Sequence, residues 1–217
     1  MSCYFYLQLT KIIIGEMRMS SMRILAINIQ NFRKLLQCHI DFSKKITLFV
    51  GANNSGKTSA MDALGKFLAD RRFTFNDITI SKRSDINQIG DRWIQEECEE
   101  PVDLAEWESF VPKMDMWLDI SRNEIHYVSG IIPTLKWRGG ELGVRLAFLP
   151  KDISKLFLEY REAYFAARKT EKAKEKVEIR LYPKNLCEFL EKNFNTYFSI
   201  KTFILDPAKA EADDPPS

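Results

Sequence analysis

The segment Ile46 to Leu64, with the sequence ITLFVGANNSGKTSAMDAL, constrains the fold of this chain more than any other stretch. It contains a glycine, four varied residues and then Gly-Lys-Thr, which fits the pattern G-x-x-x-x-G-K-[ST] at every fixed position. The apolar run Ile46 to Val50 predicts a strand before the loop. The spacing of apolar and small residues from Thr58 to Ala69 predicts an amphipathic helix after it. The sequence therefore predicts a strand, a loop and a helix in direct succession.

This order of elements is what a phosphate-binding loop requires. Glycines allow backbone N–H groups to turn inward without a Cβ in the way, and the positive end of the following helix points at the same place. Lys57 supplies a charge for the β- and γ-phosphates, and the hydroxyl of Thr58 is a candidate ligand of Mg²⁺. We therefore expect ATP and Mg²⁺ as ligands; the alternative is a glycine-rich turn with an incidental lysine. The residues predicted to contact the nucleotide are Gly51, Asn53, Asn54, Ser55, Gly56, Lys57, Thr58 and Ser59.

Turnover of ATP needs a second strand that ends in an acidic Mg²⁺ ligand, usually beside a group that orients water. Three stretches have part of this character. TFILDP ends in Asp206 but continues with Pro207 where a catalytic glutamate is expected, and MWLDI ends in Asp119 inside a predicted meander. WRGGELG resembles a signature motif, but no strand with paired acids follows it closely. No catalytic residue is assigned.

The remaining patterns predict an α/β P-loop fold in which antiparallel strands and helices are added around the sheet that carries the loop. The predicted strands are Arg23 to Ile29, the stretch HIDF before a turn at Ser43, Met114 to Ile120, Glu124 to Val128, Gly143 to Leu149 and Ser199 to Leu205. The predicted helices are Asp152 to about Lys176 and Asn185 to Phe194, with a solvated helix and loop in the acid-rich stretch Asp91 to Phe110. We expect this sheet to be incomplete, with an open edge that favours dimerisation or aggregation.

Composition restricts the partners only weakly. The net charge is +2, so a nucleic-acid surface would have to be a local patch. The four cysteines are scattered and, with two histidines, give no zinc-ligand spacing, which suits a reducing, cytoplasmic location. No apolar run reaches the roughly 18–20 residues that a membrane helix needs.

The opening strand ends in Asn31-Phe32-Arg33, ahead of the loop, and this arrangement resembles the N-terminal part of ATPases related to RecF and SMC proteins. With VPKMDMWLDI, LKWRGGELGVRLAFLP and FILDPAK, the chain looks most like the overcoming-lysogenisation-defect (OLD) family of ATP-dependent nucleases, over about Met22 to Lys209. The resemblance implies ATPase heads that form a homodimer, DNA as a partner, and a role in DNA repair or phage defence. That family continues with a signature helix, an acidic-pair strand, a switch histidine and usually a Toprim nuclease domain, which are not found in these residues.

Residues outside the loop are weaker candidates. By its position in the NFR turn, Arg33 is a candidate for a second phosphate contact or a DNA-sensing contact, and the alternative is an ordinary surface arginine. Gln88 or Gln95 could contact Mg²⁺ and water as a glutamine does in related ATPase heads, but no predicted strand places either of them.

We divide the chain into an N-terminal extension at residues 1–21, for which a later native start is an alternative, the N-terminal part of a P-loop ATPase domain at 22–209, and a polar tail or truncated linker at 210–217. Three hypotheses about function stay open. In the first, the chain is the ATPase lobe of an OLD-like, DNA-acting protein. In the second, it is a truncated module that binds nucleotide without turnover, or another RecF/SMC-like ATPase without nuclease activity. The third hypothesis, a P-loop kinase or an ABC transporter subunit, is disfavoured by the missing acidic strand.

Overall fold

The computed structural model describes residues 22–53, 55–95, 103–134, 136–173 and 182–205. The strands are β1 Arg23–Phe32, β2 Leu35–Asp41, β3 Lys113–Ile120, β4 Gly140–Pro150 and β5 Phe198–Leu205. The α-helices are α1 Lys57–Gly65, α2 Arg83–Trp93, α3 Leu104–Glu108, α4 Ile153–Ala173 and α5 Leu186–Tyr197. A π-helical turn at Lys66–Asp70 follows α1, and 3₁₀ turns cover Phe75–Asp77, Ile80–Lys82 and Arg122–Ile131. Within the described ranges, no helix is long and apolar enough to cross a membrane.

The five strands form one sheet in the order β2-β1-β3-β4-β5, and every neighbouring pair is antiparallel. Ile29 lies opposite Met114, which lies opposite Leu146, so one face of the sheet is apolar and fully buried. On the other face Arg145 donates two hydrogen bonds to the carboxylate of Asp115, at 2.7 and 2.8 Å. Successive side chains of a strand point to opposite faces, which explains how the same strands carry the buried apolar residues on one face and this ion pair on the other.

The core between the sheet and the helices is aromatic. The Trp93 ring of α2 lies 6.0 Å from Trp107 of α3 and 5.5 Å from Phe157 of α4. Phe73, which follows the π-helical turn, stacks on Phe148 of β4 with ring centroids 4.3 Å apart. These rings are almost completely buried, and they connect the helical run that starts at Lys57 to the middle of the sheet.

Most of the predicted elements are confirmed. The mixed α/β fold is present; β1, β3, β4 and β5 each contain a predicted strand, and β2 overlaps the predicted stretch HIDF up to Asp41. The predicted helices correspond to α1 with its π-helical turn, α4 and α5, although the predicted end of α4 beyond Ala173 lies outside the described residues. The N-terminal extension and the polar tail also lie outside them.

The predicted strand Ile46 to Val50 is wrong, and with it the expectation that the sheet itself carries the loop. This segment belongs to no strand, and its backbone pairs with no strand of the described sheet. Phe49 packs against the core, whereas Ile46, Leu48 and Val50 are 73%, 79% and 89% exposed. The physical reason is that an apolar run favours a strand only locally, whereas a ladder also needs a neighbouring strand.

The predicted strand Glu124 to Val128 is also wrong, because these residues lie in the 3₁₀ turn Arg122–Ile131. Ser121 and Glu124 form a capping box, in which the Ser121 hydroxyl donates to Glu124 Oε2 at 2.6 Å. The buried Glu124 also accepts a hydrogen bond from the backbone of Met22 at 3.0 Å. A serine followed three residues later by glutamate starts a helical turn, and here that local signal decides the conformation.

Candidate phosphate-binding site

The loop Gly51 to Lys57 ends where α1 begins, and Gly56 forms the junction. Gly56 has φ +92°, in the left-handed region that favours glycine. A Cβ at this position would lie 2.8 Å from Cδ2 of Leu35 in β2. Glycine is therefore required here for its backbone conformation and for the close packing of the loop against the β1–β2 hairpin.

Gly51, at the other end of the loop, also lies close to a neighbouring side chain. A Cβ there would lie 2.9 Å from Oγ of Ser55, and the amide of Ser55 donates to the carbonyl of Ala52 at 3.3 Å. The backbone thus forms a tight turn whose two ends approach each other closely. The residues present fit a phosphate group, because the glycines at the two ends of the loop, Gly51 and Gly56, leave space for backbone N–H groups to reach an anion.

The ammonium group of Lys57 lies at this turn. Nζ donates to the carbonyl oxygens of Gly51 and Ala52, both at 2.6 Å, and lies 3.3 Å from Oγ of Ser55. Its present partners are neutral, and an anionic oxygen is a stronger acceptor than a carbonyl. The arrangement therefore places a positive charge where it can exchange carbonyl partners for a phosphate oxygen.

The N-terminal end of α1 supplies further donors. The N-cap residue of α1 is Gly56, which has no side chain to bond the first N–H groups, and the first turn of this described helix contains no acidic residue. The first N–H groups of a helix have no partner within the helix, and its dipole favours negative charge at this end. The side chain of Thr58 is exposed in the same turn, so its hydroxyl is accessible to a cation that prefers oxygen ligands.

Replacing Gly56 by alanine is expected to destabilise the protein by about 2 kcal/mol, because left-handed backbone costs a residue with a Cβ about 1–2 kcal/mol and the contact with Leu35 adds to this. Urea unfolding followed by circular dichroism measures the effect. Gly65→Ala is the matched control, since Gly65 is helical at φ −58° with nothing within 4 Å of the added Cβ. We expect that control to be neutral or stabilising by up to about 1 kcal/mol; equal losses in both variants would contradict the prediction.

Arg33 lies in the β1–β2 turn and connects two other parts of the chain. Its Nε donates to Oδ1 of Asp77 at 2.9 Å, and its Nη1 donates to Oδ2 of Asp62 in α1. Oδ2 of Asp77 also pairs with Nζ of Lys66 at 3.0 Å. We call Arg33, Asp62, Lys66 and Asp77 the Arg33 cluster. It attaches the hairpin to the helix that leaves the phosphate loop.

Burial and hydrogen bonding act in opposite directions on Asp77, whose side chain is 1% exposed. Burial by itself raises the pKa of this carboxyl, but the hydrogen bonds from the Thr74 amide, Lys66 and Arg33 more than offset burial, so its pKa lies below the usual 3.8. For Arg33, burial lowers the pKa, and the hydrogen bonds to Asp77 and Asp62 outweigh it and raise the pKa. Asp77 and Arg33 are therefore both ionised at neutral pH.

Asp77→Asn is expected to lower the free energy of unfolding by about 3 kcal/mol at pH 7, because it leaves Arg33 and Lys66 without their buried counter-ion. Since the folded-state pKa of Asp77 is depressed, its stabilisation is present above about pH 4 and is lost as the pH falls through the folded-state value. Urea titrations between pH 7 and pH 3 should show the gap between variant and wild type closing. Asp70→Asn, at a side chain that is 59% exposed, serves as control and should show little gap at any pH.

The other candidates lie apart from this site or outside the described residues. Gln88 and Gln95 line a groove of about 440 Å³ beside α2 and α3, and no residue of the phosphate loop lines it. Asp119 forms an ion pair with Arg23 at 2.9 Å on the sheet. The WRGGELG stretch leads into β4 and not into a helix. Asn54 and Asp206 lie outside the described residues.

Three members of the Arg33 cluster were not predicted from the sequence. Asp62 and Lys66 belong to the predicted helix, and Asp77 falls in a stretch without a recognised motif. Thr74 and Asp77 form a capping box at the start of the 3₁₀ turn, and a threonine followed three residues later by an acidic residue is a sequence signal for such a start. This signal does not indicate that Asp77 pairs with Arg33.

Comparison with known proteins places these features in a family. A family model described as an AAA ATPase domain matches residues 22–213. The DNA replication and repair protein RecF of Marinobacter nauticus is 40% identical over 52 residues, which are 24% of this chain and 14% of that protein. The matched segment thus spans a small part of the length of that relative.

A solved chain from structural work on ATP-driven dimerization and DNA stimulated activation of SMC ATPases is also similar. The match covers 87% of this chain and 95% of that one, with 14% identity and a TM-score of 0.30. This likeness is too distant to carry an argument. The family model, in contrast, takes in the phosphate loop, α1 and all five strands. The chain has a P-loop NTPase fold and belongs to the AAA ATPase domain family.

Proposed function

We propose that this chain binds ATP by its phosphates at the loop Gly51 to Ser59, with Mg²⁺ at the hydroxyl of Thr58. The observation that carries the proposal is the ammonium of Lys57, held in a glycine-dependent turn at the start of a helix. The ATPase domain family supports ATP as the nucleotide. Bound Mg²⁺ would supply charge neutralisation for the phosphates.

Each group of residues in the loop has its own role in this binding. Gly51 and Gly56 permit the turn, and the backbone N–H groups of the loop and of the first turn of α1 are the donors for phosphate oxygens. Lys57 supplies the charge, and Asn53, Asn54 and Ser55 are the predicted contacts in the sequence between the two glycines. Thr58 would orient the metal, and Ser59 adds an N–H group in the same turn.

If phosphates carry the binding, the affinity for adenine nucleotides must rise with the number of phosphates. We expect adenosine to show no measurable binding, and ATP with Mg²⁺ to bind at least about tenfold more tightly than AMP. Isothermal titration of adenosine, AMP, ADP and a non-hydrolysable ATP analogue measures the series. Equal affinities across the four ligands would place the binding elsewhere and contradict the proposal.

A second candidate function, nucleotide binding without turnover, is favoured by the position of Asp119. Asp119, the acidic residue of the stretch MWLDI, is paired with Arg23 on the sheet. Phosphate release by the purified chain decides between the two functions. A steady release that Lys57→Ala abolishes would establish turnover, and binding without release would establish the second function.

We also propose DNA as the partner, within an OLD-like protein that acts in DNA repair or phage defence and dimerises through its ATPase heads. The NFR turn ahead of the loop and the similarity to a DNA replication and repair protein support this assignment. Fluorescence anisotropy with a short labelled duplex at several salt concentrations tests it, because contacts to DNA phosphates give a steep loss of affinity with salt. Absence of binding at low salt would remove DNA from the proposal.

A further inference from the structure

The two ion pairs of Arg33 differ greatly in burial. The carboxylate of Asp77, bonded to Nε, has a side chain that is 1% exposed, whereas Asp62, bonded to Nη1, is 41% exposed. Arg33 itself is 34% exposed. Breaking a buried pair leaves an uncompensated charge out of water, but an exposed pair exchanges easily with water or with another anion. The bond from Nε of Arg33 to Asp77 is thus expected to persist, whereas the partner at Nη1 can be exchanged for another anion.

The exchangeable side of Arg33 faces the helix of the phosphate loop. Asp62 is four residues after Thr58 in α1, so the two side chains lie on the same face of the helix, about 6 Å apart along its axis. Leu35, two residues after Arg33, contacts the position of Gly56. The hairpin that carries Arg33 is therefore fixed against both the end of the loop and the first turns of α1.

We propose that Asp62 competes with an external phosphate for Arg33, so that a phosphate oxygen replaces the Asp62 carboxylate while Asp77 keeps its own bond. This inference rests on the proposed function, since it adds a regulated contact to the same phosphate site. Arg33 and Lys66 are balanced by Asp62 and Asp77, so the cluster carries no net charge until Asp62 is displaced. Asp62 would then set how strongly the site attracts phosphate.

The test is a double-mutant cycle on Asp62 and Arg33, with two fluorescent probes measured separately: an ATP analogue with Mg²⁺ and a short duplex DNA. We expect Asp62→Asn to tighten binding of one probe by about two- to fivefold, the range that an exposed ion pair allows. In the Arg33→Gln background the same substitution should have no effect. The probe that shows the gain identifies the source of the phosphate.

Controls separate this contact from a general change of charge. Asp70→Asn removes the same charge from the same helical run at a 59% exposed side chain and should leave both affinities unchanged. If Arg33→Gln lowers the unfolding midpoint, Arg33→Lys replaces it in the cycle; because lysine keeps a charge for Asp77 but loses the planar donors, the gain from Asp62→Asn should then be smaller than in the wild type. Unchanged or weaker binding in Asp62→Asn overturns the inference, as does an equal gain without Arg33.

Failure of this inference and failure of the proposed function are distinguishable. If Lys57→Ala weakens the ATP analogue and Asp62→Asn changes neither probe, the phosphate site stands and the exchange at Arg33 is rejected. If Lys57→Ala has no effect on nucleotide binding, the proposed site itself is rejected.

Discussion

Lys57→Ala is expected to weaken binding of an ATP analogue by about tenfold or more, the largest effect on function that the structure predicts. The ammonium is the charge placed at the turn of the loop, and a hydrogen bond to a charged group contributes about 1.5–3 kcal/mol. Removing it also removes the attraction for the phosphates. Titration of the analogue with Mg²⁺ against wild type and variant measures the change.

The effect of Lys57→Ala on folding should be small, because its partners Gly51 and Ala52 are exposed. Loss of binding with an unchanged unfolding midpoint therefore reports on the site and not on the fold. Lys45→Ala is the matched control. Lys45 is an exposed lysine directly before residues 46–50, and the variant should bind as wild type does. Equal weakening in the two lysine variants would indicate nonspecific attraction of the anion.

Phe148→Ala is expected to cost about 4 kcal/mol of stability, the largest effect on the fold. The ring is 1% exposed and contacts Phe73, Phe194 and Phe198, with centroids at 4.3, 5.0 and 5.8 Å. Truncating a buried phenylalanine removes its transfer free energy and leaves a cavity among rings that cannot collapse. For a domain of this size the loss corresponds to a fall of roughly 10 °C in Tm, which scanning calorimetry measures.

Phe165→Ala is the control for this substitution. Phe165 lies on α4 with 38% of its surface exposed, so its truncation should cost less than about 1 kcal/mol. A loss in Phe148→Ala no larger than that of the control would show that the aromatic cluster does not carry the stability assigned to it.

The sheet could be predicted from sequence because its signal is local. In β1 and β3 the buried residues alternate with more exposed ones, and this pattern is visible within a few residues. The segment Ile46 to Val50 shows the limit of the same argument. Its apolar run predicts a strand, but whether a strand forms depends on a neighbour that no local pattern reveals.

The candidate site was predictable in its loop and not in its surroundings. The two glycines and the lysine follow from a fixed spacing, and the structure assigns a close contact to each glycine. The partners of Arg33 are 29 and 44 residues away in sequence, and ion pairs at such separations leave no periodic signal. Only the folded chain shows that the turn after β1 and the helix after the loop share a charge cluster.

The unpaired segment Ile46 to Val50 has a consequence for the loop that follows it. At its far end the loop continues into a helix locked to the sheet by Leu35 and Arg33, so that end has little freedom. At its near end the amides lack ladder partners among the described strands, and such backbone exchanges rapidly with deuterium. Ordering of this near end on ligand binding would cost conformational entropy and so lower the affinity.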